Sequence, residues 1–205
     1  MEASFPLLFA AVVGFTHAFE ADHLVAVGNI VTKRDRLALA LKDGIYWGLG
    51  HTSTILLIGL LIIVGKATFL TSYVSSLEAV VGVMLIGLGC YRLYQYFRHD
   101  GELEHLLDHR HDHQLAYGVG LVHGLAGSGA MILLVMSNME GALSSMSYLL
   151  IFGIGSVVGM LVAAGVLGLP LSKRLLDNRM LQVGLVLLSS LLCLGYGGFL
   201  LVEHL

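Results

Sequence analysis

Charge is what this chain has least of. Of its 205 residues only 12% are Asp, Glu, Lys or Arg, while 57% are hydrophobic, and the mean hydropathy is +0.85. A soluble domain carries about 25% charged and about 45–50% apolar residues. This composition cannot cover a water-exposed surface, which excludes an ordinary soluble enzyme and a disordered chain. The net charge of -3 excludes bulk attraction to nucleic acid. There are two cysteines, Cys90 and Cys193, and both lie inside apolar blocks, so no disulfide framework is available. The opening Met1-Glu2-Ala3-Ser4 has no basic n-region, and the first apolar block reads as a span rather than a cleaved signal. A nucleotide-binding motif and the His-Glu-x-x-His signature of zinc hydrolases are both missing from the sequence.

What is present are long apolar blocks. A spanning helix needs about 20 mostly apolar residues to cross about 30 Å of hydrocarbon. Six stretches qualify, at roughly 5–31, 44–65, 75–97, 115–138, 147–170 and 180–202. Alternation of period two is absent and Gly is frequent, as in packed helices rather than barrel strands. The expected fold is an all-α membrane protein of six transmembrane helices, forming a single domain over 1–205 with a loop at 98–114. Lys and Arg set the orientation. Lys33, Arg34, Arg36, Lys42, Arg92, Arg98, Arg110, Lys173, Arg174 and Arg179 fall on one side, and only Lys66 of the 11 basic residues falls on the other. The basic side is expected to face the cytoplasm, with both termini outside. Tyr46, Trp47, Tyr91, Tyr94, Tyr96 and Tyr117 gather at that inner interface.

The halves resemble one another. Gly14-Phe15-Thr16-His17 aligns with Gly120-Leu121-Val122-His123, and Gly48-Leu49-Gly50-His51 with Gly153-Ile154-Gly155-Ser156, at offsets of 106 and 105 residues. Three spans per half insert with opposite orientation, so a 3+3 inverted repeat is expected, with a binding site at the repeat interface near the midplane.

The first span carries His17-Ala18-Phe19-Glu20-Ala21-Asp22-His23 in an otherwise apolar stretch. A central Asp alone costs roughly 2.5–3.5 kcal/mol on the insertion scale, so these groups must face protein, water or a bound ion. Imidazoles with a carboxylate suit a divalent transition metal. At about 100° per residue one straight helix cannot aim all four side chains at one ion. Either the helix unwinds near Ala21-Asp22, or a subset binds while the others orient it. His51, followed by Thr52-Ser53-Thr54, is the candidate ligand from the second span. His123 and Ser128, in His123-Gly124-Leu125-Ala126-Gly127-Ser128-Gly129, are candidates from the fourth.

These motifs resemble those of the nickel/cobalt transporter (NiCoT) family, and most nearly its short UreH-like members. The family signature, His followed after four residues by Asp-His, is matched by His17 and Asp22-His23. Its Gly-His-Ser/Thr element is matched by Gly50-His51-Thr52-Ser53, and the stretch 123–129 is similar to the corresponding UreH-like segment. Longer members have eight spans, and this chain is expected to lack the leading one. The resemblance implies selective uptake of Ni2+ or Co2+ across the cytoplasmic (inner) membrane for metalloenzymes such as urease and hydrogenase, with a metallochaperone for either as an implied partner. Efflux relatives exist in the wider group.

Between the third and fourth spans, His99, His105, His109, His111 and His113 stand among Asp100, Glu102, Glu104, Asp108 and Asp112. Compositionally this is an auxiliary metal-binding loop. The reading is therefore a secondary permease, not an enzyme, in which the ion is cargo and no prosthetic group is expected. Its metal ligands are His17, Asp22, His23 and His51, with Glu20, His123 and Ser128 as neighbours or pathway residues. The alternatives are efflux through the same site, a thiol electron carrier using Cys90 and Cys193, a proton relay, and an intramembrane metalloenzyme. Imidazoles must be neutral to ligate, so metal affinity is expected to weaken as pH falls below about 6.5, the reference imidazole value. An isotherm unchanged between about pH 5 and 8 contradicts imidazole ligation.

Overall fold

A computed structural model describes residues 4–32, 34, 36–63, 74–98, 113–125, 141–169 and 179–204, and it is all-helical. The helices are α1 (Ser4–His17), α2 (Ala21–Val31), α3 (Leu37–Ile63) and α4 (Val74–Arg98), then α5 (114–125), α6 (Ala142–Gly168) and α7 (Arg179–His204). Four of these, α3, α4, α6 and α7, are long and apolar enough to cross a membrane, while α1 and α2 are shorter apolar pieces.

The distribution of side chains is the reverse of a soluble protein's. Leu57, Leu61, Val83, Leu143, Ile154, Val166, Leu191 and Val202 are exposed, whereas His17, His23, Asn29, Asp43, His51, Arg92, His123, Ser156 and Ser190 are buried. Along α3 the outward face carries Tyr46, Leu49, Leu57 and Leu60, at roughly helical spacing, and Trp47, His51 and Ile55 point inward. An apolar outer face around a polar interior is what a bilayer solvent selects. This is a membrane protein.

The first span differs from a single helix over 5–31. α1 ends at His17 and α2 begins at Ala21. Two tight contacts end α1, in which the Phe19 and Glu20 amides donate to the carbonyls of Thr16 and His17 at 3.0 and 3.1 Å. Glu20 is extended (φ -64, ψ 154) and caps α2, whose ladder restarts with the Leu24 amide on the Glu20 carbonyl. The break falls just before the Ala21-Asp22 step named from the sequence. The second span is longer than expected, starting at Leu37, and only 114–125 of the fourth lies within the described residues.

Close helix pairings build the bundle. α1 packs on α6, α3 on α6 and α4 on α7, and small residues let the backbones touch. Ala11 and Phe15 of α1 meet Gly155 and Gly159 of α6, so these two helices run parallel. α3 and α5 are also parallel: Gly50 meets Tyr117, and Thr54 Oγ1 donates to the Leu121 carbonyl at 3.0 Å. α4 and α7 are antiparallel, with Gly82 against Gly197 and Gly89 against Ser190. The two parallel pairs correspond position by position. Gly14 lies against the Phe152 carbonyl as Gly120 lies against that of Trp47, and Ala18 meets Gly159 as Gly124 meets Thr54.

A methyl group at Gly120 would strike the Trp47 carbonyl, whereas one at Gly118 meets nothing within 4 Å. Gly120→Ala is expected to lose about 1–3 kcal/mol through overpacking. Gly118→Ala should be neutral, or stabilising by up to about 1 kcal/mol from helix propensity. Unfolding of both variants in detergent checks this, and equal responses contradict the packing argument.

Candidate metal centre

The helix break creates the site. His17 closes α1, Glu20 caps α2, and Asp22 and His23 occupy the first turn of α2, where an acid is also favoured by the helix dipole. No Gly or Pro stands at 18–20. The Glu20 carboxylate folds back onto His17 Nδ1 at 2.8 Å, beside the two backbone bonds that close the turn. Across the bundle, α3 supplies His51 and Trp47, α5 supplies His123, and α6 supplies Phe152.

The imidazoles converge. His17 Nε2 and His51 Nε2 are 3.3 Å apart. The His23 ring lies 4.6 Å from that of His17, 5.4 Å from that of His51 and 4.7 Å from that of His123, centroid to centroid. Two groups of ligand atoms lie within 4.8 Å of one another, namely His17, His23 and His51, and Asp22, His23 and His123. Aromatic walls flank them: Phe152 packs on His17 at 5.6 Å, and Trp47 packs on His23 at 5.4 Å and on His123 at 5.6 Å.

Hydrogen bonds to one ring nitrogen leave the other as an outward lone pair. His17 Nδ1 donates to Glu20, His23 Nδ1 donates to Asp22 Oδ1 at 2.9 Å, and His123 Nδ1 donates to the Val119 carbonyl at 3.2 Å. In each case Nε2 is then the acceptor, and that of His17 is paired with His51 Nε2. The Nε2 atoms of His23 and His123 are buried with no hydrogen-bond partner among the described residues. Two nitrogens ligating one ion through bonds of about 2.0–2.1 Å sit about 2.9–3.4 Å apart for angles between 90° and tetrahedral. The His17–His51 separation falls in that interval. The arrangement can therefore hold a divalent cation with neutral nitrogen ligands and carboxylates that orient them.

Over 192 aligned residues the chain is 35% identical to the urease accessory protein UreH of Bacillus sp. (strain TB-90), covering 86% of this chain and 84% of that protein. It belongs to the NiCoT-like family of UreH. A second relative of this UreH-family chain is a protein of Methanocaldococcus jannaschii, provisionally named a nickel/cobalt efflux system, 29% identical over 187 residues and 83% of this chain (80% of that protein). No protein-family profile and no solved structure matches. The family is one of nickel/cobalt transport.

Other residues singled out from the UreH-family sequence fare differently. Ser128, His99, His105, His109 and His111 lie outside the described residues. His113 is not a solvated loop ligand. It is buried, its Nδ1 donates to Asp43 Oδ1 at 2.6 Å, and its ring stacks on Tyr46 at 5.0 Å. Asp43 also accepts from Arg34, at 2.6 Å from Nε and 3.0 Å from Nη2. Both cysteines are free, Cys90 exposed and Cys193 buried with Sγ 3.6 Å from the Val25 carbonyl.

Sequence reasoning missed the partnership of Arg34, Asp43 and His113, although a lone acid just before a long apolar block was a signal for it. It also missed Trp47 and Phe152 as walls, since aromatics in a span read equally well as interface anchors.

Asp43→Ala leaves a buried guanidinium and imidazole without their shared acceptor. It is expected to cost about 3–5 kcal/mol, read as a lowered unfolding midpoint in detergent. A midpoint equal to wild type contradicts a structural role for the triad.

Proposed function

We propose that this protein is a secondary permease that takes up Ni2+ or Co2+ across the cytoplasmic membrane through an intramembrane site of His17, Asp22, His23 and His51. The observation that carries the reading is the buried convergence of His17, His23 and His51 at a helix break. Ionisable groups are kept inside a membrane where they serve ions or protons, and broken helices place such groups at transporter sites. Three converging imidazoles favour a borderline transition metal over Mg2+ or Ca2+. The Glu20 and Asp22 carboxylates fix the rings of His17 and His23 and offset the ion's charge.

The architecture in this reading is a 3+3 inverted repeat of six spans with both termini outside, α1 and α2 together making the first span. The matching contacts of α1 with α6 and of α5 with α3 support it, as do the parallel direction of those two pairs and the antiparallel direction of α4 and α7. Basic residues clustered on one side support the cytoplasmic assignment. The relative named for urease supports metal delivery to a metalloenzyme, and a metallochaperone as the receiving partner. The name of the archaeal relative keeps efflux as the second reading. The loop histidines serve as an auxiliary cytoplasmic metal store in either direction.

The test is flux of Ni2+, Co2+, Zn2+ and Mn2+ into proteoliposomes, with sidedness fixed by labelling a cysteine appended at either terminus. Saturable Ni2+ or Co2+ flux is expected in wild type, falling to the level of protein-free vesicles in His17→Ala and His23→Ala. Undiminished flux in either variant removes the site, and no flux of any ion from folded protein removes the permease.

A further inference from the structure

We infer that the cluster contains two overlapping stations for the ion, one of His17, His23 and His51 and the other of Asp22, His23 and His123, with His23 as the shared ligand that hands the ion from one to the other. The inference rests on the permease reading and adds a role for His123 and a route through the site.

The geometry is that of a relay. His23 contacts both His17 and His123, its ring centroid 4.6 Å from one and 4.7 Å from the other. His17 and His51 pair their Nε2 atoms at 3.3 Å on one side of it. On the other side, Asp22 Oδ2 and His123 Nε2 are 3.8 Å apart. That distance is too long for a hydrogen bond yet shorter than two coordination bonds of about 2.0–2.2 Å laid end to end. His123 is fully enclosed, and its Nδ1 is committed to the Val119 carbonyl. Its Nε2 therefore faces Asp22 as a buried acceptor with no hydrogen-bond partner among the described residues.

Trp47 packs on the two imidazoles of the second station, His23 and His123. His51 belongs to the first, and Trp47 lies one turn earlier on α3. In the proposed topology that turn is nearer the cytoplasm. The stations differ in charge, the first having three neutral nitrogens and the second a carboxylate. An ion moving inward keeps His23 while it exchanges His17 and His51 for Asp22 and His123, so it is never without ligands. Conduction through adjacent sites requires this combination of binding with release.

The experiment uses the full chain in detergent and in proteoliposomes, with Co2+ as both spectroscopic probe and cargo. Wild type binds and transports it, which verifies the permease reading before any variant is read. His51→Ala is expected to lose Co2+ binding together with flux. His123→Ala is expected to retain near wild-type Co2+ affinity and absorption spectrum while its flux falls about tenfold or more. If His123→Ala does not purify as a single folded species, His123→Gln takes its place, with the same separation of binding from flux expected. A loss of Co2+ affinity equal to that of His51→Ala overturns the inference in favour of one merged site. Wild-type flux in the His123 variant overturns it in favour of a side chain that only packs on Trp47. Absence of binding and flux in wild type overturns the permease reading itself.

Discussion

His17 and His51 hold ring nitrogens 3.3 Å apart inside a bundle whose outer face is leucine, isoleucine and valine, and most of the structure serves to maintain that arrangement. Hydrocarbon offers these rings no hydrogen bonds, so each needs a protein partner or an ion. The Glu20 turn, the Asp22 contact and the Val119 carbonyl each take one nitrogen of one ring. What remains, besides the His17–His51 pair, is a set of buried nitrogens, His23 Nε2, His51 Nδ1 and His123 Nε2, without hydrogen-bond partners among the described residues. Left to itself such a set is unfavourable, and in the proposed function a cation relieves it.

The helix break and the glycine contacts answer the same demand. A continuous first helix would send Asp22 away from His17. The extended backbone at Glu20 instead starts a second helix whose first turn brings Asp22 and His23 back to the cluster. The flanking helices then approach until backbone touches backbone, Gly14 on the Phe152 carbonyl and Gly120 on that of Trp47. Those contacts seat the two aromatic walls beside His17 and His123. Close packing, rather than a hydrophobic driving force, holds helices together in lipid, and here it also sets the spacing of the rings.

Two buried polar clusters in this chain differ in how many of their hydrogen bonds are made. Around Asp43, both carboxylate oxygens accept donors from Arg34 or His113, which is how a structural ion network avoids the cost of burial. Around His23, buried nitrogens remain without hydrogen-bond partners among the described residues. The Asp43 cluster fastens the loop after α2 to α3 and to the start of α5, with the buried His113 Nε2 left without a partner among the described residues, whereas the His23 cluster leaves several ring nitrogens that a cation would take up in the proposed function.

Composition and hydropathy alone determined that this is a helical membrane protein, because the solvent acts on every residue and leaves its record in the whole length of each span. The spacing His17, Asp22, His23 was visible for the same reason, since polar residues in hydrocarbon stand out against their neighbours. His51 was legible as a polar residue at the centre of the next span. Which rings meet was not legible. The meeting of His23 with His123, exactness of a kind set by helices far apart in the chain, depends on parallel packing through glycines. Likewise His113 reads from sequence as one more loop histidine, and only its distance to Asp43 shows it to be structural. Local chemistry is written in residue type and spacing, but the meeting of the rings depends on contacts far apart in the chain, His17 with His51 and His23 with His123, and only the tertiary structure decides those.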